Sequence, residues 1–452
     1  MRVRMAPSPT GYVHIGNART ALLNDLFAHR HGGTFVLRLD DTDQERNRPE
    51  LIDPITDGLR WLGLEWQEGF DVGGPFAPYV QSARLDIYRE HAARLLKEGK
   101  AYRCWCTPEE LAEERRQAEA ARRPYVYSRR CLQDPPKGRD TFTVRFFVPA
   151  EEVVLQDLVR GEVRFDSGLI GDPVIVKTDG YPVYNFASPV DDALMEITHV
   201  VRGEEHLPNT PIQLLLTRAL GYKPPLAYAH LPLILAPDRT KLSKRRHRVE
   251  LTQFRDEGIL PEAMANYLAL LGWNPGSEQE IFTLEELRQV FDLARVQKAG
   301  AIFDRQKLDS MNGEWIRRLP EAELQRRLEP FLRRLPSELL PVAVAGLRER
   351  MQRLDQAPEM LAYLWTEPEP PPDGQSDLLE AALGALESVT WAPHDIETAL
   401  NALVEARGFS KGKLFGAVRG AVTGEKVAPP IHVTLALLPK GQALDRLRRA
   451  AG

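Results

Sequence analysis

The sequence predicts an α/β protein whose first part is built on a parallel, doubly wound sheet and whose second half is helical. The first forty residues alternate strand, loop, helix and strand, which is the pattern of a βαβ unit. The α/β pattern returns after about residue 186, and from Leu251 onwards the apolar periodicity is almost entirely helical. With 452 residues, the chain has room for about two to four domains.

Composition excludes several other classes of protein. The chain is 43% hydrophobic and 27% charged, which is typical of globular and not of disordered proteins. No stretch approaches the ~20 apolar residues of a membrane span, and the first residues lack a signal-peptide pattern, so we expect a cytoplasmic protein. The net charge is −5. A polyanionic partner would therefore need local basic surface, which the run 241–248 and the segment 404–452 offer.

The first βαβ unit is predicted from the spacing of its apolar residues and from the glycines that interrupt it. Residues 2–7 predict a strand, residues 17–31 a helix with Ala18, Leu22 and Leu26 on one face, and residues 34–39 a second strand after Gly32 and Gly33. In such sheets ligands bind at the carboxyl ends of the strands. The loop APSPTGYVHIGN and the DDTD turn both fall at that edge.

Further elements follow in order. A capping box at Thr107–Glu110 predicts a charged helix to about residue 123, and 141–148 and 171–178 have strand patterns. Residues 81–185 therefore predict an inserted α+β subdomain. Beyond it the sequence predicts a strand and loop over 197–206, a helix over 209–221 and a strand over 230–237, followed by helices that include a second capping box at Thr283–Glu286.

Two distant motifs together suit ATP. His14-Ile-Gly-Asn17 stands at a strand-to-helix turn, where free backbone N–H groups, an imidazole and the bare backbone of Gly16 can approach phosphate. The run KLSKR at 241–245 adds two ammonium groups around a hydroxyl, on a turn that could close over a triphosphate. Either motif alone could be a helix cap or a solvated basic loop.

The cysteines form a second constellation. Cys104 and Cys106 are followed by Tyr127 and Cys131. Three thiolates and one phenolate could complete a closed tetrahedral zinc site, since structural zinc takes four such ligands. The alternative is three reduced structural cysteines.

The two motifs resemble the HIGH and KMSKS signatures of the class I aminoacyl-tRNA synthetases. The strings APSPTG, YPVYNFA, VVRGEEHLPNTP, KLSKR and LPEAMANYLALLGW, in this order, resemble the bacterial glutamyl-tRNA synthetases. The resemblance covers residues 1 to about 315 closely and the remainder by its length and helical character. Asp40 departs from the pattern, because those enzymes typically have Glu at that position.

The resemblance implies a set of ligands. For ATP with Mg²⁺ they are His14, Gly16, Asn17, His206, Lys241, Ser243 and Lys244, with His14, Lys241 and Lys244 as catalytic groups. For L-glutamate they are Arg4, Ala6, Ser8, Asp40, Tyr184 and Arg202, and a guanidinium in this pocket would select a carboxylate over an amide. For tRNA they are Arg46, Arg350 and Arg353, of which Arg350 and Arg353 are candidates for the third anticodon position. For zinc they are Cys104, Cys106, Tyr127 and Cys131.

The resemblance also implies an organisation and partners. Residues 1–80 and 186–240 would form the Rossmann catalytic domain, 81–185 the acceptor-binding insertion, 241–318 a stem-contact domain, and 319–375 and 376–452 two helical anticodon-binding modules. The expected protein is a monomer that charges tRNA(Glu), and the sequence leaves open whether it also charges tRNA(Gln). The alternatives are a glutaminyl-tRNA synthetase and a non-catalytic tRNA-binding paralogue.

Overall fold

The computed structural model describes residues 1–242, 249–369, 375–425 and 428–452. Its strands are β1 (Arg2–Met5), β2 (Thr34–Leu37), β3 (Glu68–Gly69), β4 (Ala101–Cys104), β5 (Thr143–Phe146), β6 (Glu152–Asp157), β7 (Gly161–Asp166), β8 (Val174–Val176), β9 (His199–Gly203), β10 (Ala227–Leu231), β11 (Ile234–Leu235) and β12 (Ala301–Ile302).

The helices alternate with these strands at first and then follow one another. They are α1 (Ile15–Arg30), α2 (Ile52–Trp61), α3 (Leu85–Lys97), α4 (Pro108–Ala120), α5 (Arg130–Gln133), α6 (Tyr184–Leu194), α7 (Thr210–Ala219), α8 (Leu251–Asp256), α9 (Pro261–Leu270), α10 (Leu284–Val290), α11 (Arg305–Arg318), α12 (Glu321–Leu328), α13 (Leu340–Leu347), α14 (Ala357–Met360), α15 (Ser376–Leu386), α16 (Pro393–Arg407), α17 (Lys411–Thr423), α18 (Ile431–Ala436) and α19 (Lys440–Ala451). Among the helices described, none is long and apolar enough to cross a membrane.

The chain divides into two compact units. The first consists of Met1–Gln253 and Met264–Asp304, and the second of Phe254–Ala263 and Arg305–Gly452. The first unit holds all the strands of the described chain and the second is helical, as the sequence predicts. The finer division into six segments stays a prediction.

The parallel sheet expected in the first unit is present. β1 pairs in parallel with β2, and β2 with β3. β10 pairs in parallel with both β9 and β6, and β7 returns antiparallel to β6. The two groups of strands meet where the N–H of Thr198, just before β9, donates to the carbonyl of Arg2 in β1 at 3.0 Å. This sheet fixes where the ends of β1, β2, β9 and β10 lie.

Helix α1 follows the predicted periodicity closely. Ala18, Leu22 and Leu26 are all fully buried, so the apolar face read from the sequence is the face that packs against the sheet. The helix stops at Arg30, and Gly32 takes φ +58°, a left-handed conformation that glycine adopts without a steric penalty.

The strands of the segment predicted as an insertion belong to two different sheets. β4, β5 and β8 form a separate three-stranded antiparallel sheet, and α4 begins with the predicted capping box of Thr107 and Glu110. The hairpin of β6 and β7, however, extends the sheet of β9 and β10. Residues 152–166 therefore belong structurally to the main sheet of the first unit, although the sequence places them within 81–185.

The second unit is held together by buried polar side chains as well as by apolar packing. Asn312 of α11 is fully buried, accepts from the N–H of Leu260 at 2.7 Å and donates to the carbonyl of Gln352 at 2.7 Å. Arg446 of α19 donates to the carbonyls of Tyr363 and Val422, each at 2.8 Å. Such bonds satisfy backbone groups that the loops leave unpaired, and so fix the loops against the helices.

Candidate active site

A cleft of about 990 Å³ opens at the carboxyl ends of the parallel strands. This is where ligands bind in open α/β sheets, and the volume is that of a small-molecule site. The cleft brings together every sequence-predicted ligand of ATP and glutamate that the structure describes, together with Arg46. These residues are Arg4, Ala6, Ser8, His14, Gly16, Asn17, Asp40, Arg46, Tyr184, Arg202, His206 and Lys241.

The first motif forms the entrance to helix α1. His14 is the N-cap residue, and its Nδ1 accepts from the N–H of Asn17 at 3.3 Å. A Cβ atom at Gly16 would lie 3.0 Å from that Nδ1 and 3.1 Å from Cε1. A larger residue at position 16 would therefore crowd the imidazole, and glycine leaves it room to fold over the helix start. The arrangement gives an anion both the partial positive charge of the helix end and an adjacent ring nitrogen.

The second motif is described as far as Leu242, so the predicted ligands Ser243 and Lys244 lie outside the described residues. Before them, Asp238 accepts from the N–H of Thr240 at 2.9 Å and closes a turn. After the turn Lys241 forms a backbone bridge with Leu235 and lines the cleft with an exposed side chain. One ammonium group of the motif thus stands in the cleft that also holds His14.

Beneath the cleft lies a buried network of three arginines and three aspartates. Arg38 is completely buried, and its Nε donates to Asp40 at 2.7 Å while its Nη1 donates to Asp192 at 2.7 Å. The other members are Arg4, which donates to Asp192 at 3.1 and 3.2 Å, and Arg84, which donates to Asp191 at 2.7 Å. The formal charges balance. The network can therefore hold charged side chains below the cleft, where an unpaired charge would be costly.

Asp40 is the carboxylate of this network that faces the cleft. Burial raises the pKa of Asp40 to about 6, and the neighbouring Arg38 opposes that increase. At pH 7 the group is ionised and would attract an ammonium group in the cleft. Because Arg38 holds the carboxylate from below, its position is fixed before any ligand arrives.

Arg202 differs from the three arginines of the buried network in having neutral partners. Its Nη1 donates to Gln213 at 2.8 Å and to the hydroxyl of Tyr184 at 3.2 Å, and its Nη2 donates to Thr210 at 2.8 Å. Within the described ranges, no carboxylate lies within 4.0 Å of this guanidinium, which is 4% exposed. A buried cation without a counter-ion favours an anionic ligand.

Tyr184 and His206 form the aromatic part of the wall. Their rings lie 5.4 Å apart, centroid to centroid. Burial, together with the nearby Arg202, lowers the pKa of His206 to about 4, so the imidazole is neutral at physiological pH. A neutral ring can stack against a base or accept one hydrogen bond without adding charge.

Several residues of the site are not among those the motifs indicated. Arg38, Asp191 and Asp192 hold the floor, and Arg19 of α1 lines the cleft with its Nη1 donating to the carbonyl of Pro232 at 2.9 Å. Burial lowers the pKa of Arg19 to about 10. The two adjacent aspartates inside the apolar helix SPVDDAL are a signal that could have found the floor, because buried charges require partners.

The three cysteines and Tyr127 converge as predicted. The three Sγ atoms lie within 4.8 Å of one another, and the hydroxyl of Tyr127 is 3.3 Å from Cys104 and 3.2 Å from Cys106. Four ligands around zinc stand about 3.8 Å apart when their bonds are about 2.3 Å long. The spacing of the four donors therefore fits one tetrahedral ion.

Two arginines supply positive charge around this cluster. Arg130 lies 3.1 Å from the sulfur of Cys106, and Arg145 stacks over the ring of Tyr127 at 4.1 Å. Burial would raise the pKa of Cys104, but hydrogen bonds with Tyr127 and Arg145 bring it down to about 7. Burial raises the pKa of Cys106 to about 11. The donor set has the excess negative charge, once ionised, that a divalent cation offsets.

The three predicted tRNA ligands occupy different settings. Arg350 is exposed, whereas Arg353 forms ion pairs with Asp355 at 3.0 Å and with Asp309 at 3.2 Å. In the first unit, Arg46 is exposed and paired with Asp43. Among the described residues no ion pair of Arg350 is found within 4.0 Å.

Comparisons with known proteins cover the whole chain. Residues 1–310 match the family model of the class I tRNA synthetase (E and Q) catalytic domain, and residues 323–451 match an anticodon binding domain. A protein named glutamate--tRNA ligase in Moorella thermoacetica is 44% identical, covering 100% of this chain and 98% of that protein. A protein of the same name in Desulforudis audaxviator is 43% identical, covering 100% and 96%.

Solved structures agree with these sequence comparisons. The crystal structure of a glutamate tRNA ligase from Elizabethkingia meningosepticum, in complex with its amino acid, is similar with a TM-score of 0.88 and 32% identity, over 100% of this chain and 99% of that one. The structure from Elizabethkingia anophelis has a TM-score of 0.90 over the same shares. With the parallel sheet, the cleft at its carboxyl edge and the helical second unit, these matches show that the chain belongs to the class I aminoacyl-tRNA synthetases, in the family of the glutamate and glutamine enzymes.

Proposed function

We propose that this chain joins L-glutamate to the 3′ end of tRNA(Glu), using ATP, through a glutamyl-adenylate. The observation that carries the proposal is the guanidinium of Arg202, buried in the cleft among neutral partners. A side-chain carboxylate would supply the missing counter-charge. The curated relatives of matching length are named glutamate--tRNA ligase, which supports the same substrate.

The glutamate site is proposed to read both ends of the amino acid. Arg202 and Arg4 attract the side-chain carboxylate, with Tyr184 beside them, and Asp40 attracts the α-ammonium group. Asp40 is one methylene shorter than the Glu typical of bacterial relatives, so a water would bridge the remaining distance. Ala6 and Ser8 also line the cleft and would lie between the two ends.

The nucleotide site is proposed to lie along the start of helix α1. His14, Gly16 and Asn17 offer the helix N-terminus to phosphate, Lys241, Ser243 and Lys244 approach from the second motif, and His206 lies beside the adenine. Magnesium bound to the triphosphate would neutralise further charge. The protein then contributes positioning and charge stabilisation and needs no nucleophile of its own.

The reaction has two steps. The α-carboxylate of glutamate attacks the α-phosphorus of ATP, a new P–O bond forms, and the bond to pyrophosphate breaks. A ribose hydroxyl of the terminal adenosine of tRNA then attacks the activated carbonyl, and AMP leaves. His14 and Lys244 are proposed to stabilise the charge that develops at the α-phosphate, and Lys241 the leaving pyrophosphate.

Zinc is proposed to bind Cys104, Cys106, Tyr127 and Cys131, whose spacing fits four ligands. When bound, the ion would supply a structural cross-link between the end of β4 and helix α5. It would thereby order the subdomain proposed to grip the acceptor end. Arg130 and Arg145 flank the donors and would offset their remaining negative charge.

The proposed family assignment also gives the partners. Residues 81–185 hold the acceptor end of tRNA, 241–318 its inner stem, and 319–375 and 376–452 the anticodon. Arg46 and Arg350 are proposed as direct contacts, and Arg353, which is paired with Asp309 and Asp355, as a residue that supports the same surface. The protein acts as a cytoplasmic monomer. Charging of tRNA(Gln) as well as tRNA(Glu) is a second possibility that the same glutamate pocket permits.

A glutaminyl-tRNA synthetase is the nearest alternative and would need a pocket for an amide. The amide of glutamine offers two donors and no charge, which would leave the Arg202 guanidinium without its counter-ion. The other alternative, a tRNA-binding protein without catalysis, would keep the helical modules while losing the phosphate ligands of the cleft. His14, Gly16 and Lys241 all line it here.

The testing experiment is glutamate-dependent exchange between ATP and pyrophosphate, measured with and without tRNA. We expect exchange with glutamate and not with glutamine, followed by charging of purified tRNA(Glu). Tight tRNA binding without exchange under either condition would overturn the proposal in favour of the non-catalytic alternative. Exchange with glutamine instead of glutamate would favour the glutaminyl enzyme.

A further inference from the structure

A fully buried Asp–His unit stands directly behind Arg202. Asp157 ends β6 and His230 lies in β10, next to β9, which carries Arg202. The Nδ1 atom of His230 is 2.6 Å from Oδ2 of Asp157, and its Nε2 atom is 3.2 Å from Nε of Arg202. His230 is 0% exposed. The sequence motifs and the mechanism proposed above use neither residue of this unit.

The hydrogen-bond partners fix the protonation state of this imidazole. A carboxylate accepts, so Nδ1 must carry the proton. The Nε of an arginine always donates, so Nε2 must present its lone pair. His230 is therefore the neutral Nδ1–H tautomer. Its Nε2 is also 3.1 Å from the hydroxyl of Thr210, which has a second acceptor in the carbonyl of His206 at 3.4 Å.

The charges facing this ring are few and agree with the neutral form. Asp157 lies on one side and Arg202 on the other, with Arg160 at a longer range and the ring of Tyr228 stacked in parallel, 6.1 Å between centroids. Burial lowers the pKa of His230, and the Asp157 carboxylate opposes that decrease. The hydrogen bond from His230 contributes to a lowered pKa of Asp157, although burial acts against it.

The unit also explains how Arg202 is held without being neutralised at close range. An arginine has five N–H groups. Within the part of the chain that the structure describes, four have acceptors, in His230, Tyr184, Gln213 and Thr210, and one N–H on Nη2 has none. If Asp157 touched the guanidinium directly, it would compete with a ligand carboxylate. The imidazole keeps the two charges apart by its own width and still fixes the orientation of the guanidinium plane.

We propose that His230, held as its Nδ1–H tautomer by Asp157, is a positioning residue for amino-acid recognition that aims the guanidinium of Arg202 at the side-chain carboxylate of the substrate. This inference rests on the proposed function, because it assigns Arg202 to that carboxylate. Positioning of this kind lowers the KM for the amino acid and sharpens its discrimination against the uncharged analogue.

Three variants separate the positioning role from simple packing. His230→Gln retains an acceptor near the position of Nε2 and should keep the KM for glutamate within about threefold of wild type. His230→Leu removes the acceptor and should raise that KM about tenfold or more, because Arg202 loses its orientation. Asp157→Asn can donate to Nδ1, which moves the ring proton to Nε2, where it faces the N–H of Arg202, so we expect an effect like that of His230→Leu.

Steady-state exchange with saturating tRNA gives the KM for glutamate and for ATP, and thermal unfolding shows whether each variant folds. The KM for ATP should stay unchanged in all three variants, and the preference for glutamate over glutamine should fall in His230→Leu and Asp157→Asn. Equal increases in both KM values, a His230→Gln variant as weak as His230→Leu, or no change in any variant would overturn the inference. Wild-type protein without glutamate-dependent exchange would instead overturn the proposed function.

Discussion

The imidazole of His14 occupies the space that a side chain at Gly16 would need. A Cβ there would lie 3.0 Å from Nδ1 of His14, closer than nine in ten real contacts. Gly16→Ala should therefore push the ring off the helix start and break its bond with the N–H of Asn17. We expect kcat/KM for ATP in the exchange reaction to fall about 10- to 100-fold, since a displacement of about 1 Å at a reacting group has effects of this size.

A matched control exists in the second unit. Gly384 lies inside helix α15, is exposed, and a Cβ there would meet nothing within 4 Å. Gly384→Ala should leave the exchange rate unchanged and stabilise the protein slightly, because alanine favours helix more than glycine does. Equal rates in Gly16→Ala and Gly384→Ala would show that the ring of His14 does not contribute to ATP use.

The acidity of Asp40 predicts a pH dependence of amino-acid binding. Burial raises the pKa of Asp40 to about 6, with Arg38 opposing and Asp191 and Asp192 adding to the increase. Lowering the pH through 6 therefore neutralises Asp40 and removes its attraction for the α-ammonium group. If the ionised form alone binds, the KM for glutamate should rise about fourfold at pH 5.5.

Kinetics of exchange between pH 5.5 and 8 test this expectation. The KM for ATP, measured on the same samples, serves as the internal control. Asp40→Asn should have a higher KM for glutamate at pH 7.5 and should lose the pH dependence, because the amide does not titrate. A KM for glutamate that is flat in the wild-type protein over this range would contradict the role given to Asp40.

Substituting Arg38 should strongly destabilise the folded protein. Arg38 is completely buried and donates to Asp40 and Asp192. Arg38→Met would leave these carboxylates with an uncompensated charge, so we expect a loss of about 3–5 kcal/mol in the free energy of unfolding. Urea denaturation measures it. Arg164→Met is the control, because Arg164 pairs with Glu152 on the surface and its loss should change stability little.

The sequence predicts this fold well where the signal is local. Helix α1 is found because its apolar residues repeat with the helical period, and the capping boxes at Thr107 and Thr283 mark the true starts of α4 and α10. The hairpin of β6 and β7 is missed, because its membership of the main sheet depends on the pairing of Asp157 with Tyr228. That pairing joins residues far apart in the chain and leaves no local pattern.

The site follows the same rule. His14, Gly16 and Lys241 belong to short motifs whose chemistry can be read directly. Arg38 and His230 act through partners 154 and 73 residues away, Asp192 and Asp157. A sequence does not show whether a charged residue is buried or exposed. Only the fold therefore distinguishes the charged residues beneath the cleft from those on an ordinary surface.

Zinc binding is tested by changing one ligand. Cys131→Ser should lower the zinc content, measured by mass spectrometry of the native protein, from about one ion per chain to a small fraction, and should lower the melting temperature. Arg130→Gln is the control, because Arg130 lies 3.1 Å from Cys106 and lends charge to the cluster without being a ligand. We expect it to retain zinc with weaker affinity. Wild-type protein without stoichiometric zinc would contradict the site.

Substitutions of Arg350 and Arg353 should have different effects on tRNA recognition. Arg353 forms ion pairs with Asp309 and Asp355 within the second unit, whereas Arg350 is exposed. Arg350→Ala should therefore raise the KM for tRNA(Glu) about 10-fold and weaken discrimination at the third anticodon position, since one base-reading arginine contributes about 1–3 kcal/mol.

Arg353→Ala should lower the melting temperature while leaving the KM for tRNA close to wild type, because it breaks ion pairs inside the protein. Charging of tRNA(Glu) transcripts with each of the four bases at the third anticodon position measures both effects. If the Arg353 variant loses base discrimination and the Arg350 variant does not, the exposed arginine is not the reader. The ion pairs of Arg353 would then have to open when tRNA binds.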